Sequence, residues 1–171
     1  MIDRGKALCE ELKAAGIHHL VWLPCSATRF MQEAILSDPG IKVIRVCREG
    51  EAVGVCVGLH LGGKRAALVV ESAGMFDSGN VLNWAVGLEI PMLLLVGYTV
   101  PYPSLSFFPA SQRLLTKDYS DAFLTFFGVK CYSLDNDEEV KNVSPACEEA
   151  WRTNRPVALL VNRVAGSVVG A

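Results

Sequence analysis

"IRVCREGEAVGVCVGLHLGG", residues 44–63, sets an apolar run of strand character, 43–47, directly against an apolar run of helix character, 53–61. At the seam stand Arg48, Glu49 and Glu51 around a single glycine, Gly50, and Gly62-Gly63 closes the second run. A strand that passes into a helix through so short a connection is the building unit of a parallel sheet. It also puts two carboxylates where the two most apolar elements meet.

Outward from this unit the same alternation continues in both directions. A helix at 3–15 ends at Gly16, a strand "HHLVWL" follows at 18–23, and a helix covers 27–37 before "SDPG". The decisive stretch then gives a strand at 42–47 and a helix at 50–62. After it come a strand "AALVVE" at 66–71, a loop "SAGMFDSG", a helix at 79–88 and a strand "MLLLVG" opened by Ile90-Pro91. A long proline-containing segment, 98–112, leads to a helix at 113–127, a strand at 129–134, a helix at 137–153 and a last strand "PVALLVN" at 156–162. Six strands alternating with helices predict an α/β fold, a doubly wound parallel sheet with helices on both faces, in one domain of 171 residues. Ligands of such sheets bind beyond the carboxyl ends of the strands. The loops that matter are therefore 24–27, 48–51, 72–79 and 97–112.

Composition narrows the function classes. Half of the residues are apolar and the net charge is −2, with no Lys/Arg run to mark a nucleic-acid footprint. The apolar run at 52–62 carries His60 and is far below the roughly 18–20 residues a membrane span needs. The N-terminal stretch "MIDRGKALCEELKAAG" reads as an amphipathic helix and not as a signal peptide. Six cysteines, at 9, 25, 47, 56, 131 and 147, form no C-x-x-C pair and have no histidine at metal-ligand spacing. They read as reduced and mostly buried, which fits a cytoplasmic compartment.

Few motifs carry chemistry. There is no G-x-G-x-x-G, and "GGKR" at 62–65 lacks the spacing of a phosphate loop. Gly54, Gly58 and Gly62 share one helix stripe, as expected of close packing against a neighbouring backbone. Cys25 follows Pro24 at the end of the first strand, but His18 and His19 lie at its other end, so no Cys–His pair forms. For the seam carboxylates two readings stand. Glu in a first helical turn is favoured by the macrodipole. Alternatively, the apolar flanks desolvate Glu49, raise its pKa and prepare it for acid–base work.

The sequence resembles the pyrimidine-binding domain of thiamine-diphosphate-dependent 2-oxo acid decarboxylases, in particular the sulfopyruvate and phosphonopyruvate decarboxylases. The resemblance rests on "LPCS" (23–26), "REGEAVGVCVGLHLGGK" (48–64), "SAGMFDSGNVLN" (72–83), "IPMLLLVG" (90–97) and "NRPVALLV" (154–161), in that order. It implies that Glu49 hydrogen-bonds N1′ of the cofactor's aminopyrimidine and promotes the tautomer that removes the thiazolium C2 proton, with Glu51 supporting. It further implies cofactor contacts from Gly74 and Met75, a loop-organising role for Asn80, and a substrate-facing group of Cys25, Ser26 and Arg48.

The family's Gly-Asp-Gly motif for diphosphate and Mg²⁺ belongs to a second domain, and the 171 residues contain no Gly-Asp dipeptide. The resemblance therefore implies thiamine diphosphate with Mg²⁺ held by a partner, a β subunit, in an oligomer acting on a 3-substituted 2-oxo acid. Arg29, Arg48 and Arg113 are candidate cations for the substrate's extra anion. The sequence departs from the family at Ala73, Phe76 and Asp77, and at Arg48, while 98–117 matches poorly. A carboligase or other lyase on the same cofactor, and a non-catalytic homologue, stay open as alternatives.

Overall fold

The computed structural model describes residues 3–98 and 117–162. Six strands form one all-parallel sheet: β1 (His19–Trp22), β2 (Lys42–Arg45), β3 (Ala66–Glu71), β4 (Met92–Tyr98), β5 (Lys130–Leu134) and β6 (Pro156–Asn162), in the order β2-β1-β3-β4-β6-β5. The helices are α1 (Arg4–Ala14), α2 (Gln32–Ser37), α3 (Glu49–Leu61), α4 (Ser72–Asp77), α5 (Gly79–Gly87), α6 (Lys117–Phe126) and α7 (Val143–Thr153). Strands β3, β4 and β6 read as unbroken apolar runs because helices cover both faces.

Alternation along the strands divides the core in two. Leu20 and Trp22 of β1, Ala67 and Val69 of β3, and Leu93 and Leu95 of β4 pack under α1, α2 and α7. Val21, Leu68, Val70, Leu94 and Val96 pack under α3, α5 and α6, with Met75 of α4. The strand order reverses between β1 and β3, since β2 lies on one side of β1 and all later strands on the other. The carboxyl ends of β1 and β3 therefore flank the switch point, where doubly wound sheets open a crevice.

Several element boundaries differ from the sequence reading, each for a local reason. The expected helix 27–37 is a 3-10 turn, Ser26–Met31, followed by the short α2. The expected helix 137–153 likewise splits into a 3-10 turn, Asp137–Asn142, and α7. Asn136 caps that turn by accepting from the Glu139 N–H at 3.1 Å, and Pro145 falls in the first turn of α7, where its missing N–H costs nothing. Residues 72–77, read as a loop, form α4. Helix α3 begins at Glu49, so both seam carboxylates lie in its first turn. The start of the helix expected at 113, the segment 99–112 and Arg113 lie outside the described residues.

The glycine stripe on α3 is a correction. A Cβ at Gly54 or Gly58 would meet nothing within 4 Å, so no neighbouring backbone within the described residues uses that space. The cysteines are free, with Cys9, Cys56 and Cys147 buried. His18 and His19 lie at the amino end of β1, away from Cys25. Among the described residues no helix is long and apolar enough to cross a membrane.

Candidate active site

The carboxyl edge of the sheet carries the site. Helix α3 starts immediately after β2 with Arg48 at its N-cap, and Glu49 and Glu51 then occupy the first turn. Their roles diverge. Glu51 reaches back and accepts a hydrogen bond from the Cys47 N–H at 2.9 Å, one residue short of the usual reciprocal helix cap. Glu51 is thus a helix-start residue, and the dipole argument accounts for it. Among the described residues no hydrogen bond holds the Glu49 carboxylate. It is seated by packing: a Cβ placed on Gly74 would fall on the Glu49 carboxyl group itself. Glu49 is half-buried there, between the start of α3 and the first turn of α4.

The other expected residues are dispersed around this contact. Gly74 is the one brought directly to Glu49. Met75 is buried in the core beneath α3 and α5, so its side chain serves packing. Asn80 is exposed on the first turn of α5. Arg48 is exposed and forms an ion pair with Asp77 at 2.9 Å. Two positions at which this sequence departs from the expected pattern therefore pair with each other, bridging α3 and α4. A third departure, Phe76, packs edge-on against Phe123 of α6 with ring centroids 4.9 Å apart. Arg29 is exposed in the 3-10 turn after β1.

Cys25, at the N-cap of that turn, lies with its Sγ 3.2 Å from Thr28 Oγ1. The turn rests on β4 at Gly97, where a Cβ would come within 2.8 Å of Ala27 Cβ, 3.0 Å of Thr28 Cγ2 and 3.5 Å of Cys25 Sγ. The absent side chain at Gly97 is what lets the turn close over the sheet. Burial pushes the Cys25 thiol up, against the help it receives from Thr28, so it is a poor thiolate nucleophile. Ser26 opens the same turn.

Sequence reasoning missed Glu71. It ends β3 at the switch point, pairs in register with Gly97, and is half-buried. Burial, and next the charge of Glu49, raise its carboxyl above the ordinary range. The signal was present in the sequence: "AALVVE" ends an otherwise apolar strand on a carboxylate at the ligand-binding edge. Ser72, next in the chain, has a buried Oγ without a hydrogen-bond partner. Among the described residues no group of three or more His, Cys, Asp or Glu is placed to hold a metal ion.

The family of thiamine pyrophosphate enzymes, N-terminal TPP binding domain, matches residues 2–109. The chain belongs to this family. The sulfopyruvate decarboxylase subunit alpha of Methanothermobacter thermautotrophicus is 35% identical over 98 residues, which are 57% of this chain and 59% of that one. The subunit of the same name from Methanococcus maripaludis is 24% identical over 163 residues, 94% of this chain and 95% of that one. The phosphonopyruvate decarboxylase of Streptomyces viridochromogenes is 31% identical over 80 residues, 47% of this chain and 19% of that one. The stretch shared with the first relative is thus under two thirds of its length, whereas the second is matched almost end to end.

A TPP-binding domain takes thiamine diphosphate as its cofactor, and the residues present fit its aminopyrimidine end. The fit rests on the Gly74 cradle: one carboxylate, fixed by a backbone without a side chain, presented half-buried beside the crevice between β1 and β3.

Proposed function

We propose that the chain is the α subunit of a hetero-oligomeric, thiamine-diphosphate-dependent decarboxylase of a 3-substituted 2-oxo acid of the sulfopyruvate or phosphonopyruvate kind. The observation that carries this reading is the seating of the Glu49 carboxylate on Gly74, within the stretch that matches the family. The names of the relatives supply the reaction class and the subunit. When bound, thiamine diphosphate supplies the electron sink for the carbon–carbon bond that breaks.

This chain's residues then have separate tasks. Glu49 holds or releases a proton at its carboxylate oxygen toward N1′ of the aminopyrimidine. Gly74 keeps that carboxylate in one place, which matters because a misplacement of 1 Å can cost about 10²-fold in rate. The walls around it limit water: Met75 is fully buried beneath, and the 3-10 turn with Cys25 and Thr28 closes the β1 side. Ser26 and Arg48 face the substrate in this reading, and Asn80 orders the α4–α5 connection. A β subunit supplies the Gly-Asp-Gly segment that binds diphosphate and Mg²⁺, and the active site lies between the two chains.

A non-catalytic homologue would be free to lose the geometry at the departures from the family pattern. Arg48 and Asp77 instead form an ion pair and Phe76 is packed on Phe123, so the altered positions are built into one another. The test is co-purification with the β subunit followed by carbon dioxide release across a panel of 2-oxo acids. The reading predicts release from a sulfonated or phosphonated pyruvate by the complex and none by the chain alone. A complex that forms and releases none from any of them overturns it.

A further inference from the structure

We infer that Glu71 is a second carboxylate of this site, a positioning residue that shares one proton with Glu49 across the mouth of the crevice. The inference rests on the role of Glu49 proposed above and adds a residue that the sequence motifs do not single out. Three observations carry it. Glu71 is the last residue of β3, at the point where the strand order reverses. It is the N-cap of α4, and the first turn of that helix contains Gly74, on which the Glu49 carboxylate is seated. Its in-register neighbour is Gly97, over which Cys25 Sγ lies, so Glu71 stands between the thiol and Glu49.

The surroundings hold no charge to neutralise the pair. From α3, Glu49 faces Glu71, and Arg48 beside it is engaged with Asp77 of α4. From the turn after β1 comes Cys25, a neutral thiol. From β4 comes Gly97, which has no side chain. Two carboxylates that feel each other in a partly desolvated place do not both ionise near neutral pH as isolated ones would. Burial first and Glu49 second raise Glu71, so the proton of the pair resides on Glu71. Glu49 therefore works beside a stored proton.

The decisive experiment is a carbon-13 titration of the side-chain carboxyls in the chain itself, without cofactor, for wild type, Glu49→Gln and Glu71→Gln. The expected result is a Glu71 midpoint above the ordinary carboxylate range that falls part of the way back in Glu49→Gln, leaving the share due to burial. An unchanged Glu71 midpoint in Glu49→Gln overturns the inference and leaves the role of Glu49 intact. The reverse pattern, coupling in the titration with full turnover of the Glu49→Gln complex, keeps the pair and removes that role.

Thermal unfolding gives an independent reading. A carboxyl raised in the folded state favours folding below its unfolded value of about 4.3, and that contribution is lost as pH rises through the folded midpoint. Glu71→Gln is thus expected to raise the thermal midpoint at neutral pH and to lose that advantage near pH 4. A variant destabilised equally at both values overturns the pair.

Discussion

At the scale of single residues, the account turns on the fact that Gly74 leaves room for a carboxylate. Gly74→Ala places a methyl group on the Glu49 carboxyl. The end of a flexible side chain can move aside, so the stability of this variant should stay within about 0.5 kcal/mol of wild type. Its turnover in the assembled enzyme should fall by about 10²-fold, because the displaced group is the one that must be aligned. Denaturant unfolding and a carbon dioxide assay on the same preparation separate the two effects. Glu51→Gln should show the opposite profile. Its carboxylate accepts from the Cys47 N–H and faces the helix dipole, so the change should cost roughly 0.3–1 kcal/mol of stability and leave turnover nearly untouched.

At the scale of elements, much was legible because burial on both faces of a parallel sheet writes itself as unbroken apolar runs. "MLLLVG" and "PVALLVN" read as strands for that reason, and both are. The 3-10 turns at 26–31 and 137–142 were not legible, because i,i+3 and i,i+4 periodicities differ little over six residues. Helix α4 was hidden because Ala73-Gly74 is weak helix sequence; contact with α3 and the Phe76–Phe123 packing hold it in place. In the site, Glu49 was readable from its seam position, whereas Glu71 was absorbed into an apolar strand. The glycines of α3 were read as packing sites, yet Gly58 opens on free space. Gly58→Ala should therefore stabilise the isolated chain by about 0.5–1 kcal/mol, as an alanine does in a helix interior, measured by chemical denaturation. The α1–α2 junction carries a pH signature. Asp38 is held below its usual range by Lys13, 2.6 Å away, and then by the Gly40 N–H. A lowered carboxyl contributes stability that is present above its unfolded value of about 3.9 and lost as pH falls through the folded midpoint. Asp38→Asn should flatten that acid limb of the thermal midpoint against pH.

At the scale of the whole molecule, the outer surface of the second helical layer is too apolar to be left in water. Leu61 at the end of α3, Trp84 and Leu88 on α5, and Phe126 at the end of α6 are each more than half exposed. Contiguous exposed apolar surface of this kind marks association. Light scattering at micromolar concentration should find a species larger than a monomer; a clean monomer would count against a subunit role. The proposal itself stands or falls on one comparison: turnover of the complex with the β subunit, wild type against Glu49→Gln. The amide keeps the shape of the side chain and removes the proton it exchanges. If Glu49 is the group that activates the cofactor, turnover falls by about 10²–10⁴, the scale of a general acid–base group, while the thermal midpoint barely moves. If both seam carboxylates are only helix-start residues, Glu49→Gln turns over as fast as wild type, and that result would contradict the account.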